Sequence, residues 1–379
     1  MEKYNLIAKT FSGLENVLAN EIKKIGGENI RVGKRAVYYE GNLELIYKSN
    51  YFLRTALRIL KEINRFQIKD VDQYYLYCKN INWSKYLDVD QSFAINSVVV
   101  NSMDFRNSMF ASLKAKDAIA DYFRQKTGRR PNVDTVNPEI IINIHIHKNK
   151  CTVSLDSSGE SLHKRGYRVK QGDAPLNEVL AAGMILITGW NGKTDFVDPM
   201  CGSGTLPIEA AMIAQEIPAG KFRKNFTFKN WNDFNAELFE QVISSRKKKD
   251  FTHLIYASDI SAENLLNAKT NARRALVFNK IKFCKSDLKD LDLSVKNATI
   301  VINPPYGERL KVENLNQLYG MIGERLKHKY PGNAAWVLTS SKENSKNIGL
   351  KPSKKIELYN GAIKCNFNNY ELFSGKLKS

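Results

Sequence analysis

The chain has 379 residues, more than one hydrophobic core ordinarily holds, so two or three domains are expected. Its 58 Lys and Arg against 39 Asp and Glu leave a formal charge of +19. Such a surplus favours a polyanionic partner, because each neutralised phosphate releases condensed counterions, although charge alone does not separate RNA from DNA or an anionic membrane. No stretch approaches the length of a transmembrane helix, and the start MEKYNLIAKT lacks the basic and apolar regions of a signal peptide. The five cysteines, Cys78, Cys151, Cys201, Cys284 and Cys365, stand far apart with no CxxC pair. A soluble protein of the reducing cytoplasm is therefore expected, with no disulfide framework, no metal centre and no membrane partner.

Along the chain, the first segment reads strand, helix, strand, helix: NLIAKT, GLENVLANEIKKIG, KRAVYYEG and a long pattern from Leu43 to Ile63. A second unit runs from about Phe66 to Asp156. It has a tyrosine-rich helix around Tyr74 to Tyr77, a strand FAINSVVV, a helix from Asn107 to Lys126 and a hairpin of IIINIHIH and CTVSLD. The basic tract TGRRPN places Arg129 and Arg130 as candidate phosphate contacts. Met109 and Phe110 are expected in a core, and His145 and His147 read as exposed strand histidines.

After Asp156 the polar, basic stretch SSGESLHKRGYRVKQGDAPLNEV reads as a connector whose second half caps the domain after it. Strands TDFVD, HLIYASD, IKFCKSD, ATIVIN and AAWVLTS then alternate with helical patterns, the sign of a doubly wound α/β sheet. A polar insert from about Ile217 to Asp250 interrupts the first crossover. Asn360-Gly361 between alternating residues marks an antiparallel hairpin at the end.

In an open α/β sheet, ligands lie beyond the carboxyl ends of the strands. Here those ends carry Asp198 followed by a glycine turn with Gly202 and Gly204, then Asp259, then Asp287. Glycines let backbone approach a ligand, the helix start after them offers free N–H groups, and a carboxylate on the second strand is placed for ribose hydroxyls. Each acid taken alone could be a helix cap; Asp259 precedes SAENLL, with Glu263 placed for a capping box.

The fourth strand ends in VINPPYGERL. Pro304 and Pro305 lack N–H groups and fix φ, which stiffens the turn and leaves the Asn303 amide and the Pro304 carbonyl as outward acceptors. With Tyr306 as a flat face, the set suits a planar ring bearing an NH2 group, as in a nucleobase.

Asn-Pro-Pro-Tyr after the fourth strand, with Asp-Pro-x-x-Gly-Ser-Gly after the first, resembles the class I S-adenosylmethionine-dependent methyltransferases of exocyclic base amines. The longer strings DPMCGSGTLPIEAAM, NPPYGERL and SLHKRGYR resemble the THUMP-domain RNA methyltransferases related to the bacterial 23S rRNA guanine-N2 enzyme. The resemblance covers nearly the whole chain. It implies a ferredoxin-like segment over 1–64, a THUMP RNA-binding domain over 65–156 and a Rossmann-like class I methyltransferase domain over 157–379. It also implies S-adenosyl-L-methionine as cofactor, held around Asp198, Pro199, Cys201, Gly202, Gly204 and Asn303, with Asp259 at the ribose and Asp287 at the adenine. Asn303, Pro304 and Tyr306 would meet the target base, and Lys164 and Arg165 join Arg129 and Arg130 as expected RNA contacts. The implied partner is RNA, 23S rRNA or a ribosome-assembly precursor, and the product N2-methylguanosine. A tRNA guanine-N2 enzyme, a DNA adenine-N6 enzyme and a non-catalytic RNA-binding assembly factor are the alternatives.

Overall fold

The computed structural model describes residues 2–169, 175–305 and 312–373. Its first portion contains β1 (Tyr4–Lys9), α1 (Glu15–Lys24), β2 (Glu28–Gly33), β3 (Ala36–Gly41), α2 (Leu43–Phe52) and β4 (Arg58–Gln67). The expected long helix from Leu43 to Ile63 is thus two elements. Leu53 turns extended, and the next two backbone N–H groups, of Arg54 and Thr55, donate to the Glu21 carboxylate at 2.9 Å each. Those donors are lost to helix propagation, and the segment from Arg58 is drawn into the sheet beside β1 although most of its residues are good helix formers. The mostly exposed strand β2 carries no apolar alternation and is not expected from sequence.

The chain continues through α3 (Val71–Lys79), β5 (Ser92–Val100), α4 (Ser108–Thr127), β6 (Asn132–Val133), β7 (Ile140–His147) and β8 (Lys150–Asp156). Asp70 caps α3 and Asn107 caps α4, each accepting at 2.7 Å from the N–H three residues on. One eight-stranded sheet, ordered β2-β3-β1-β4-β8-β7-β5-β6, runs through both N-terminal units, with β4 joining β1 on one side and β8 on the other. The buried face of α4 is Ala111, Ala115, Ala118, Ile119 and Phe123, so Met109 (68% exposed) and Phe110 (38%) face outward rather than into a core. His147 is exposed and His145 half-buried.

The remainder holds α5 (Glu178–Thr188), β9 (Phe196–Asp198), α6 (Thr205–Ala214), α7 (Ala236–Ser244), β10 (Ile255–Asp259), α8 (Ala262–Arg274), β11 (Ile281–Lys285), β12 (Thr299–Ile302), α9 (Val312–Lys329), β13 (Ala334–Thr339), α10 (Lys342–Asn347), β14 (Lys354–Asn360) and β15 (Ile363–Glu371). The sheet order is β11-β10-β9-β12-β13-β15-β14, parallel from β11 to β13 and closed by the antiparallel β14–β15 pair. Strand order reverses beside β9, between β10 and β12, which opens a crevice at their carboxyl ends.

The insert between α6 and β10 is polar on average and apolar where it matters. Its Phe226, Phe228, Trp231 and Phe239 are buried in the N-terminal core, where Phe228 lies 4.7 Å from Tyr47 between ring centroids. In the opposite direction, Leu14 is wholly buried in the core of the C-terminal sheet. Gly13 permits this docking: its φ is +91°, and a Cβ there would lie 2.2 Å from the Glu357 carbonyl oxygen.

Candidate active site

Strand β9 is buried along its length and delivers Asp198 to the crevice. Asp198 accepts from the Met200 N–H at 3.2 Å and is 1% exposed. Burial pushes its carboxyl well above the usual carboxylate range, and the charge of Asp259 adds to the rise. The turn after it is tied to β10: the Ser258 hydroxyl donates to the Pro199 carbonyl at 3.3 Å, and the Cys201 N–H donates to the Ser258 carbonyl at 2.8 Å. Gly202 (φ +52°) and Gly204 (φ +83°) are both left-handed. A Cβ on Gly204 would sit 2.9 Å from that of Ala268, so this glycine also lets α6 pack on α8, whereas a Cβ on Gly202 would meet nothing within 4 Å.

Asp259 closes the turn from the neighbouring strand. Its Oδ2 accepts from the Gly202 N–H at 2.8 Å, and its Oδ1 from the Ser261 N–H at 2.9 Å and the Asn264 amide at 3.2 Å. It is not the cap of α8; Ser261 is, accepting from the Asn264 N–H at 3.2 Å. Asp287 lies just past β11, pairs with Lys289 at 3.7 Å and accepts from the Lys289 N–H at 3.0 Å. Since Asp259 is in register with Lys285, Asp287 stands one strand over at the same end of the sheet.

Asn303 comes directly after β12, which pairs with β9 through Ile300 and Val197, so it lies beyond the end of β9 on the Asp198 side of the crevice. Its Oδ1 is buried with no hydrogen-bond partner among the described residues, and Pro304 is buried behind it. Tyr306 lies outside the described residues. Cys201 is buried in the turn, and burial, with Asp198 and Asp259 nearby, pushes its thiol well above the ordinary value, which keeps it protonated and unsuited to nucleophilic attack. Among the described residues there is no cluster of His, Cys, Asp or Glu that could hold a metal ion. No helix among them is long and apolar enough to cross a membrane.

Of the basic candidates, Arg130 is exposed, and Arg129 and Lys164 are exposed but paired, Arg129 with Asp90 and Lys164 with Glu160 at 2.7 Å. Arg165 is 2% exposed and cannot reach RNA. Its guanidinium donates to the Leu162 carbonyl at 2.9 Å, to the Arg54 carbonyl at 2.5 Å and to Glu209 at 3.5 Å, so it joins the N-terminal portion to α6. Arg168, which sequence does not single out, braces the glycine turn. It donates to Ser203 Oγ at 3.0 Å and Thr205 Oγ1 at 2.9 Å while its Nε holds Glu178 at 2.8 Å. Asn271 completes the brace by donating to the Ser203 carbonyl at 3.1 Å and accepting from the Val169 N–H at 3.1 Å. The only trace of this in sequence is that the connector precedes the first strand closely enough to cap it.

Comparison with known proteins agrees with this layout. Residues 165–369 match the RMKL-like methyltransferase domain, residues 69–156 the THUMP domain and residues 5–60 the RlmL ferredoxin-like domain. The chain is 34% identical over 365 residues to a Synechocystis protein named "Putative RNA methyltransferase slr0064", covering 95% of each. It superposes on the solved structure described as "SMU.472, a putative methyltransferase complexed with SAH", with a TM-score of 0.88 at 30% identity over the whole of both chains. It also superposes on a Listeria monocytogenes protein described as a "predicted N6-adenine-specific DNA methylase", with a TM-score of 0.85 at 30% identity, covering 98% of this chain and 97% of that one. With a ferredoxin-like segment, a THUMP domain and a catalytic sheet in that order, the chain belongs to the THUMP-containing family of RMKL-like methyltransferases.

Proposed function

We propose that this methyltransferase moves the methyl group of S-adenosyl-L-methionine to the N2 amine of a guanosine in 23S rRNA, acting in the cytoplasm on naked rRNA or an early ribosomal precursor. In this reading residues 1–64 and 65–156 engage the RNA and 157–379 carry the chemistry. The observation behind it is the buried Oδ1 of Asn303 at the mouth of the crevice, which has no partner among the described residues. An unsatisfied buried acceptor costs about 1–3 kcal/mol, and an exocyclic amine supplies the missing donor.

The donor set suits the cofactor. Asp198 and Asp259 raise the energy of negative charge at the turn, and Asp198, buried, holds its proton above the usual range; a ligand bearing an ammonium and a sulfonium relieves that. Asp198, Pro199, Cys201, Gly202 and Gly204 would hold its methionine part with Asn303 close by, Asp259 its ribose and Asp287 its adenine. When bound, the cofactor supplies a methyl group already activated by the sulfonium. The chain's own task is alignment. Asn303 Oδ1 and the Pro304 carbonyl draw the amine hydrogens out of the ring plane, which frees a lone pair otherwise delocalised into the base, and they stabilise the positive charge that develops on nitrogen. The proton then leaves to water, so no strong base is needed. Tyr306 stacks on a base extruded from its helix.

Adenine-N6 transfer to DNA uses the same kind of turn, and the Listeria protein is described as an enzyme of that kind. The THUMP match favours RNA here, and the Synechocystis relative is named for RNA. The test incubates the purified protein and methyl-labelled cofactor with rRNA, tRNA and DNA from a strain lacking it, followed by digestion and nucleoside mass spectrometry. Label is expected in N2-methylguanosine of rRNA. Label in N6-methyladenosine, or in tRNA in preference to rRNA, refutes the substrate assignment; cofactor binding with no label in any pool supports the non-catalytic assembly factor instead.

A further inference from the structure

Gly166 is where three separate pieces of chain meet. Its φ is +97°, and a Cβ there would lie 2.1 Å from the Phe222 carbonyl oxygen, so the connector lies directly on the insert at 221–224. From the other side, Arg274 at the end of α8 donates to the Gly166 carbonyl at 3.4 Å. This contact gathers Lys164, Lys221, Arg223, Lys224 and Arg274 round one strip of surface. Lys221, Lys224 and Arg274 are all exposed.

The carboxylates near this strip are already engaged: Glu160 by Lys164 at 2.7 Å, Glu209 by Arg165 at 3.5 Å, Glu178 by Arg168 at 2.8 Å and Asp156 by Arg58. Among the described residues, no acid forms an ion pair with Arg223. Its guanidinium is spent on the carbonyls of Ser158, Glu160, Ser161 and Lys164, at 2.8 to 3.3 Å, so it serves as a fixed positive charge beneath the strip. The crowding is felt by its neighbours. His163 is pushed down to about 4, first by burial and then by Arg165, Lys164, Arg223 and Arg168, while Arg223 itself falls to about 10 through burial and Arg165. Positive charge concentrated in this way favours an anion.

The strip is also near the reaction centre. From Lys164 to Arg168 the connector spans at most about 14 Å, and Arg168 touches Ser203 and Thr205 on the cofactor turn. A strand entering the crevice passes within reach.

Resting on the reading of the chain as an RNA methyltransferase, we propose that this junction of connector, insert and α8 binds the sugar–phosphate backbone of the RNA substrate through Lys221, Lys224 and Arg274, with Lys164, held by Glu160, beside them. The loop carrying Arg129 and Arg130 is then a secondary contact, its Arg129 being already paired with Asp90.

The test is binding of the full-length triple variant Lys221→Gln, Lys224→Gln, Arg274→Gln to fluorescein-labelled, unmodified 23S rRNA transcript across a salt series. Each phosphate contact contributes roughly 0.7–0.9 to the log–log salt slope, so removing three cations should flatten it by about 2–3 and weaken binding near 100 mM salt on the order of 10- to 100-fold. Binding of S-adenosylhomocysteine, measured by calorimetry, should stay within about twofold of wild type, showing an intact fold. The charge-preserving variant Lys221→Arg, Lys224→Arg, Arg274→Lys should keep the RNA affinity. Wild-type affinity and slope in the Gln variant overturn the proposal and leave the methyltransferase reading standing, as does loss confined to Arg129→Gln, Arg130→Gln. A wild-type protein that neither binds nor methylates RNA removes both.

Discussion

Replacing Asn303 by Ala separates catalysis from stability, because the structure makes opposite demands of the two. For catalysis, the mechanism proposed above makes the side-chain oxygen the acceptor facing the nitrogen on which positive charge grows. Removing one such preorganised group costs about 2.7–4 kcal/mol of transition-state stabilisation, so kcat should fall by roughly 10²–10³. For stability, the same oxygen is buried without a partner among the described residues. Its deletion returns about 1–3 kcal/mol of desolvation, against about 1 kcal/mol of lost packing for a half-buried short side chain. The variant should therefore be as stable as the wild type or up to about 2 kcal/mol more so, a rise of a few degrees in melting temperature. Steady-state transfer of labelled methyl to RNA, calorimetry with S-adenosylhomocysteine and thermal melting measure the three quantities, with cofactor affinity expected to change little. A kcat within about threefold of wild type, or a melting temperature several degrees lower, would show that Asn303 is a structural residue and not a catalytic one.

Burial holds the Asp198 carboxyl above its ordinary value of 3.8, so its contribution to stability in the unliganded protein is complete below that value and lost as pH rises through the raised one. Asp198→Asn should remove this part of the pH dependence of melting and weaken S-adenosylhomocysteine binding; identical melting profiles for the two proteins would exclude the buried charge as its source. Phe228→Ala empties a wholly buried site among Tyr47, Phe226 and Phe239 and should cost about 3–5 kcal/mol in urea denaturation, although the residue belongs to the catalytic half of the chain. Arg165→Met takes its ion-pair partner from the buried Glu209, leaving it the Tyr167 hydroxyl at 3.1 Å, and should cost a similar amount. Adding Glu209→Gln should recover only part of that loss, since the buried Arg54 also relies on the Glu209 charge, and RNA affinity should track the fold rather than the charge.

Several features of this protein are dictated locally and can be read from the chain alone. Buried parallel strands must be short and β-branched, as in ATIVIN, and the left-handed turn at Gly361 (φ +62°) results from Asn360-Gly361 whatever surrounds it. The acids at the strand ends and the two prolines after Asn303 belong to the same class, since their meaning depends on position along one strand. Other features depend on atoms remote in sequence. Whether Leu43 to Ile63 is one helix or a helix and a strand is decided by Glu21, which takes the N–H groups of Arg54 and Thr55. The aromatic residues of the insert are spaced too irregularly to signal a face, and only the opposing Tyr47 and Tyr51 reveal one. Lys164 and Arg165 are adjacent and equally charged, yet one is solvated and the other buried, because only Arg165 meets the carbonyls of Leu162 and Arg54 and the carboxylate of Glu209. A side chain's charge is local, but the groups that accept its hydrogen bonds are supplied by the rest of the molecule, and that supply is what tertiary structure decides.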